Sequence, residues 1–261
     1  GMPDREVRPV IIVQRRRLLY PAYVQDYLDR VTAADVAAGD TNGLEVGVTD
    51  AASAFLQDLV SISYLGISGG VISQAASVIK ASPIMAGART LPGALVPVVG
   101  TAPTNVNNLF VPSDYNRKTG LKGNGTTKHL NSNRNNNADP QNNKHIAAFI
   151  TAITSTGTAG VMGTTTVASG GSWLTRNSDN TTSSQRANSA ASYAYTNAFP
   201  ISSKLLGVSR SASNSQSHIA AGGVQPSTLV SASPINENIL VFRALGLFCP
   251  FRIAFYSIGE H

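Results

Sequence analysis

Carboxylates are the side chains of this sequence that could do acid–base chemistry, and residues 101–261 hold only five of them. They are Asp114, Asp139, Asp179, Glu237 and Glu260. Hydrolysis of a glycosidic bond needs two carboxyl groups at a set separation, which the fold must create. The chain has no Gly-rich phosphate loop and no HExxH motif. We therefore expect a protein that is not an enzyme, with a carbohydrate-active enzyme as an alternative.

Metal-ligating residues are few and scattered. None of the four His residues has a partner at metal-ligand spacing: His129, His145, His218 and His261. Cys249 is the single cysteine, so it forms no disulfide within the chain, and its apolar neighbours predict a buried thiol. Asp139 and the Asn residues near it offer oxygen ligands for calcium, but without EF-hand spacing. We expect no metal and no cofactor, and calcium at Asp139 stays an open alternative.

Aromatic side chains are the candidates for ligand contact. The single Trp173 lies in the run GGSWLTRNS, and Tyr193 and Tyr195 follow about twenty residues later. Aromatic rings often stack on sugars in lectin-like sites, although a lone Trp in a β-sandwich is more often part of the core. Trp173, Tyr193 and Tyr195 are therefore candidate glycan contacts, with core packing as the alternative.

The stretch from Val7 to Leu19 combines an apolar run with a basic cluster. The run is Val10, Ile11, Ile12 and Val13, and the cluster is Arg15, Arg16 and Arg17. Because the run has high β-propensity and is apolar on both faces, we expect a strand that is covered on both sides. We predict that residues 1–20 form an extended arm that docks on a partner chain, with the arginines as a charged stop. The alternative is a strand in the subunit's own core.

Residues 21–90 predict a small helical region. Pro21 suits a first helical turn, Gly39 suits a left-handed cap, and Gly69-Gly70 breaks the chain. The predicted helices are Pro21–Ala38, Thr49 or Asp50 to about Tyr64, and Val71–Lys80, each with an apolar face. Four prolines then predict an extended connection over residues 91–112.

From residue 113 onward the pattern changes to short β runs separated by turns. Twelve Asn residues lie between Asn105 and Asn143, and we expect their side chains to bond to tightly turning backbone, as at Asn124-Gly125. The predicted strands are Lys128–Leu130, His145–Ile153, Gly160–Val167, Gly171–Arg176, Tyr193–Thr196, Lys204–Ser211, Gln216–Ala221, Ile239–Arg243 and Phe251–Ile258. The chain is therefore predicted to be mainly β, with a jelly-roll-like β-sandwich over residues 113–261 that follows the small helical region and the N-terminal extended strand, and that folds alone.

Charge is sparse and unevenly placed. Only 13% of the residues are charged, about half the usual fraction, and the net charge is +6. Residues 1–100 hold eight Lys and Arg against nine Asp and Glu, whereas residues 101–261 hold twelve against five. The basic second part favours an anionic partner such as a host-surface polysaccharide. Nucleic acid is an unlikely partner because the basic residues form no dense patch, and no run is long enough to span a membrane.

Three segments resemble one family. They are DYNRKTGLKGNGTTKHLNSNRNNNADPQNNKH, the upstream run Ala86–Asn105 (AGARTLPGALVPVVGTAPTN) and the C-terminal RIAFYSIGE. All three resemble virion proteins of tailed phages of the type that infects marine cyanobacteria, and together they bracket roughly residues 83–260. The resemblance implies a laminin-G-like or concanavalin-A-like jelly-roll. It implies no catalytic residue.

These observations predict a non-enzymatic virion structural protein. We expect it to be tail-associated, as a tail fibre, adhesin or adaptor that acts in assembly and contacts host-surface glycan. We also expect it to be a homo-oligomer. It would be made in the host cytoplasm and reside in the virion with other virion proteins as partners. The alternatives are a capsid decoration or cement protein and, from another class, a carbohydrate-active enzyme.

Overall fold

The computed structural model describes residues 20–197 and 204–261. Its helices are α1 (Ala22–Ala37), α2 (Val46–Ser61) and α3 (Leu91–Ala94), and single 3₁₀ turns lie at Val106–Asn108, Pro112–Asp114 and Asn136–Ala138. The described strands are β1 (Gly66–Ser68), β2 (Val71–Ser73), β3 (Ile79–Pro83), β4 (Pro97–Val99), β5 (Thr104–Asn105), β6 (Tyr115–Asn116), β7 (Gly120–Lys122), β8 (Leu130–Asn135), β9 (Lys144–Ala152), β10 (Ala159–Gly163), β11 (Gly171–Arg176), β12 (Ser183–Ser189), β13 (Tyr193–Tyr195), β14 (Lys204–Ala212), β15 (Ser215–Ala220), β16 (Gly223–Ser227), β17 (Asn238–Val241), β18 (Arg243–Ala244), β19 (Leu247–Phe248) and β20 (Arg252–Gly259).

Two large antiparallel sheets form a β-sandwich. One has the order β13-β12-β11-β10-β17-β8-β5, and the other has β16-β15-β14-β9-β20-β3-β4, with β7 also paired to β20 and β6 paired to β7. Alternate residues of β9 point to opposite faces, and Ile146, Ala148 and Ile150 face inward. They share one buried core with Leu174 and Val241 of the facing sheet. The prediction of a mainly β protein with a β-sandwich and a small N-terminal helical region is confirmed.

The two sheets also use residues that precede 113, the predicted start of the sandwich. Strands β3, β4 and β5 lie between residues 79 and 105 and pair within the large sheets. Met85 follows β3, is fully buried in the main core, and its backbone N–H donates to the Ala254 carbonyl at 2.7 Å. The prolines of the predicted connection do not prevent regular structure here, because they lie where a helix or strand begins. Pro92 lies in the first turn of α3, and Pro97 is the first residue of β4.

The helices form a layer against the second sheet. The helix α1 matches its predicted bounds to within one residue, whereas α2 begins at Val46, three residues before the predicted start. Tyr27, Val31 and Leu56 pack with buried residues of β3 and β4 in a second, smaller core. None of the described helices has both the length and the apolar character needed to cross a bilayer.

The predicted helix from Val71 to Lys80 is wrong. Val71–Ser73 instead pairs with β1 in a hairpin, and Gly69 and Gly70 at its tip both have positive φ. Ile79–Pro83 forms β3, in which every residue is buried and which pairs with β20. β-branched residues have a higher propensity for strands than for helices. A strand that is buried on both faces, such as β3, also needs no polar face.

The Asn-rich stretch uses its side chains as predicted. The Oδ1 atom of Asn124 accepts hydrogen bonds from the backbone N–H groups of Thr126, Thr127 and Lys128 at 2.9 to 3.1 Å. Gly125 has φ +74°, a conformation that glycine adopts without steric cost. Asn105 binds both the N–H and the carbonyl of Phe110 and so closes a similar turn. The amides therefore replace regular ladder bonds where the backbone turns.

Replacing Met85 by Ala tests whether the residues before 113 belong to the sandwich core. We expect the free energy of unfolding to fall by about 2–5 kcal/mol, because the change removes a fully buried side chain and leaves a cavity. Urea titration followed by circular dichroism measures this loss. Val167, which is 74% exposed, provides the control, and Val167→Ala should change stability by less than about 0.5 kcal/mol. A Met85→Ala protein as stable as the control would contradict a core that includes this segment.

Candidate interaction surface

The carboxylates named as candidate acids have structural partners in separate places. Asp179 accepts from the backbone N–H groups of Thr181 and Thr182, and hydrogen bonds from Thr182 lower the pKa of Asp179 to about 2. Burial would raise the pKa of Glu237, but hydrogen bonds from Thr165 and Thr166 outweigh it and lower this pKa. Both carboxyls are therefore ionised at neutral pH, and an ionised carboxyl cannot be the proton donor of glycoside hydrolysis.

The other carboxylates of the sandwich are held by lysines and arginines. Asp114 accepts from Lys128 Nζ, and Glu260 lies 3.1 Å from Lys80 Nζ. Asp139 is buried between Arg134 and Lys144, with its Oδ2 atom 3.1 Å from Lys144 Nζ. Burial alone would raise the pKa of Asp139, but these two cations outweigh it and lower the pKa.

The proposed alternative of calcium at Asp139 does not fit this arrangement. The side chains of Asp139 and Lys144 are completely buried, and Lys144 Nζ also donates to the Asn136 carbonyl at 2.9 Å. Two cationic side chains already occupy the positions where calcium would bind this carboxylate. Across residues 20–197 and 204–261, no group of three or more His, Cys, Asp and Glu side chains is arranged to hold a metal ion.

Trp173 is a core residue in this structure, not an exposed sugar platform. Its side chain is 2% exposed, and the guanidinium of Arg186 lies 4.2 Å from the ring centroid. The indole Nε1 donates to Ser184 Oγ at 3.3 Å. The two residues lie opposite each other on β11 and β12, which brings Arg186 over the ring. The ring therefore has no open face on which a sugar could stack.

The two candidate tyrosines differ in exposure. Tyr195 is buried, and its hydroxyl donates to the Ala220 carbonyl at 3.1 Å, so its role is packing. Tyr193 is half-buried, stacks on His218 with 4.1 Å between ring centroids, and donates to Gln225 Oε1 at 2.7 Å. Burial and the charge of Arg210 lower the pKa of His218 to about 4. Of the three predicted glycan contacts, Tyr193 is the one with an accessible ring.

A row of large apolar side chains crosses the outer face of the second sheet. Phe149 of β9 pairs with Leu205 of β14 on one side and with Phe255 of β20 on the other. Phe149 and Leu205 are each 38% exposed. Phe55 of α2 continues the row, with its ring edge-to-face on the Phe255 ring and 5.4 Å between the ring centroids. Sequence reasoning missed this outer row, which we define as Phe55, Phe255, Phe149 and Leu205.

An apolar groove opens beside this row. It has a volume of about 410 Å³ and lies between α1, α2 and the segment 84–88, and Phe55 is shared with the outer row. Among its lining residues are Tyr27, Leu28, Val48, Ala51, Ala52 and Ile84. We call it the helical groove.

Arg117 fixes one wall of the helical groove. Its Nε donates to the Ala88 carbonyl at 3.0 Å, and its NH2 group donates to the Gly87 carbonyl at 3.1 Å. The same guanidinium pairs with Glu45, the N-cap residue of α2, and lowers the pKa of that carboxyl to about 2. Arg117 therefore ties the segment 84–88 to the start of α2 and keeps the groove between them.

The predicted docking arm lies outside the described residues. This applies to the apolar run Val10, Ile11, Ile12 and Val13 and to Arg15, Arg16 and Arg17. Its docking on a partner chain stays a prediction. The described part of the chain begins at Tyr20, whose hydroxyl lies 2.7 Å from Thr49 Oγ1 of α2.

Comparison with known proteins gives structural likeness alone. No family model and no curated protein matches the chain. A Trypanosoma rangeli sialidase in complex with the inhibitor DANA is 9% identical, with 81% of this chain and 36% of that chain covered and a TM-score of 0.47. The botulinum neurotoxin serotype D binding domain is 11% identical, with 69% and 47% covered and a TM-score of 0.47. This chain spans less than half the length of either protein, and such a likeness says nothing about ligand or activity.

Removing the charge of Asp139 tests its structural role. We expect Asp139→Asn to lower the free energy of unfolding by about 3–5 kcal/mol, because Lys144 is then buried without its counter-charge. The loss should be much smaller for the control Asp179→Asn, whose carboxyl is exposed. Urea titration at pH 7 measures both, and the double variant Asp139→Asn with Lys144→Met should regain part of the loss. Equal effects of the two single variants would contradict this account.

The stability of the protein should depend on pH through His218. This group stays neutral in the folded state down to about pH 4, whereas the unfolded chain binds the proton near pH 6.5. Stability must therefore fall as the pH drops from about 6.5 to 4, by up to about 3 kcal/mol for this one residue. His218→Gln should remove that part of the slope in chemical unfolding at several pH values. An unchanged slope would show that His218 already binds a proton in the folded state.

Proposed function

We propose that the protein is a non-enzymatic structural subunit of a tailed-phage virion, associated with the tail. The sequence resemblance of three segments supports the virion role. The single structural observation that carries the proposal is the outer row, in which Phe149 and Leu205 are large, apolar and each 38% exposed. Exposed apolar patches on folded domains mark contact sites with other molecules.

The geometry of the outer row suits a rigid assembly contact. Its members come from three neighbouring strands and one helix, so their positions are set by the sheet ladder and not by a loop. Phe149 and Leu205 are direct cross-strand partners and present one continuous surface. Large rings on a rigid frame lose little conformational entropy on binding, which favours their use in stable interfaces.

The state of the carboxylates supports a role without catalysis. Asp179 and Glu237 have lowered pKa values, and Asp114, Asp139 and Glu260 lie in ion pairs. A general acid of a glycosidase needs the opposite, a carboxyl that keeps its proton near neutral pH. We therefore propose a role in assembly and binding.

Contact with host-surface glycan is a second part of the proposal. It is supported by Tyr193, whose half-buried ring is held in place by His218 on one face and by Gln225 at its hydroxyl. A fixed, partly exposed aromatic ring beside a side-chain amide is the combination that lectin-like sites use for sugars. The basic balance of residues 101–261 would favour an anionic polysaccharide.

Polar substitution of the outer row tests the assembly role. We expect Phe149→Ser with Leu205→Ser to reduce the number of copies in purified particles at least tenfold, because the contact loses its apolar centre. Quantitative mass spectrometry of phage grown with the variant gene measures the copy number. The matched control is Val167→Ser, which removes an apolar side chain that is 74% exposed between β10 and β11 of the other sheet.

Three outcomes separate the parts of this proposal. Normal incorporation of the control together with loss of the double variant supports the outer row as the contact. Equal incorporation of both variants would reject the outer row but keep the virion role. Absence of the unmodified protein from particles, or polysaccharide breakdown that Asp179→Asn or Glu237→Gln abolishes, would reject the proposed function itself.

A further inference from the structure

The helical groove is an apolar depression for which the described residues provide no occupant. Its volume is about 410 Å³. Water gains little in a space lined by Leu28, Val48 and Ile84, because apolar walls offer it few hydrogen-bond partners. We propose that residues 7–19 of the same chain dock in the helical groove, with the run Val10–Val13 against its apolar lining. This inference goes beyond the proposed function and does not depend on it.

The first support is the place where the chain leaves the described part. The hydroxyl of Tyr20 lies 2.7 Å from Thr49 Oγ1 and donates to Asp50 Oδ1 at 2.6 Å. Both partners lie on α2, between the groove residues Val48 and Ala51. The segment that ends at residue 19 is therefore attached next to the groove.

The second support is reach. Residues 10–13 are seven to ten residues from Tyr20, and an extended chain of that length spans at most about 23–36 Å. The whole of α2 is about 24 Å long at 1.5 Å per residue. The apolar run is therefore long enough to reach the groove residues of α2 without moving Tyr20.

The third support is charge. Residues 1–19 carry five Arg against one Asp and one Glu, whereas residues 20–65 carry seven Asp and Glu against one Arg. Asp29, Asp50 and Asp58 are exposed and form no salt bridge with other described residues. The cluster Arg15–Arg17 joins the apolar run to Tyr20 and would lie over this acidic helical layer.

Tethering favours the segment's own groove over that of a second copy. A covalently attached segment meets a nearby site at an effective concentration in the millimolar range, above the usual concentration of free subunits. The proposed contact of residues 7–19 is therefore within one subunit, whereas the sequence analysis predicted docking on a partner chain. Phe55 is the one member of the outer row that lines the groove, so Phe149 and Leu205 stay open for assembly.

Disulfide trapping in the full-length protein tests the proposal. One variant combines Ile12→Cys with Ala51→Cys in the groove, and the matched control combines Ile12→Cys with Ala54→Cys, an exposed residue of the same helix that does not line the groove. Cys249 does not interfere, because it is fully buried and burial raises the pKa of its thiol to about 12. Under mild oxidation we expect the first pair to close at least ten times faster than the control. The product should have the mass of one chain and form at a rate independent of protein concentration.

The alternatives give different products. Equal closure rates for the two pairs would show that the segment does not lie in the groove, and would overturn the proposal. Closure between chains, at a rate that rises with concentration, would assign the groove to a second copy and also overturn it. A second measurement is Ile12→Asp, which should at least double the hydrogen-exchange rate of the α2 amides. Unchanged exchange in α2 would count against docking.

Discussion

The pairing of β20 with its two neighbours is the constraint on which the rest of the structure depends. This last strand lies between β9 and β3, so residues from the first, middle and last thirds of the chain meet in one sheet. Its inner face gives Tyr256 and Ile258 to the main core, and its outer face gives Phe255 to the helical layer. Both cores, the outer row and the wall of the helical groove are therefore positioned by one long-range pairing.

Much of the fold could be predicted where local pattern and burial agree. The strand Gly171–Arg176 was predicted with its observed bounds, because a short run with Trp, Leu and Thr between turn residues favours a strand. The strand β12, SSQRANS, was missed because its residues are polar and yet almost all buried. Its polar groups are satisfied by distant partners, such as Gln216 for the Ala187 N–H, and no local pattern encodes such bonds. The helix predicted over 71–80 failed for a related reason, since the pairing of 71–73 with β1 and of β3 with β20 decides that segment.

The candidate surface was less accessible to sequence reasoning than the fold. The outer row joins residues 55, 149, 205 and 255, and only the sheet ladder makes them neighbours. By contrast, Trp173 was predicted as a candidate glycan contact from its residue type, whereas Arg186 on the adjacent strand covers its ring. Tyr193 remains a candidate glycan contact because it lies on β13, the edge strand of its sheet, where its ring is partly accessible.

The central claim is that this β-sandwich is a structural subunit of a virion that assembles through a rigid apolar face. Electron cryo-microscopy of intact particles of the phage that we propose as its source tests this claim most directly. The account predicts repeated copies of this fold on the tail, each with Phe149 and Leu205 against a neighbouring chain. Particles that contain no copy of the chain would contradict the claim.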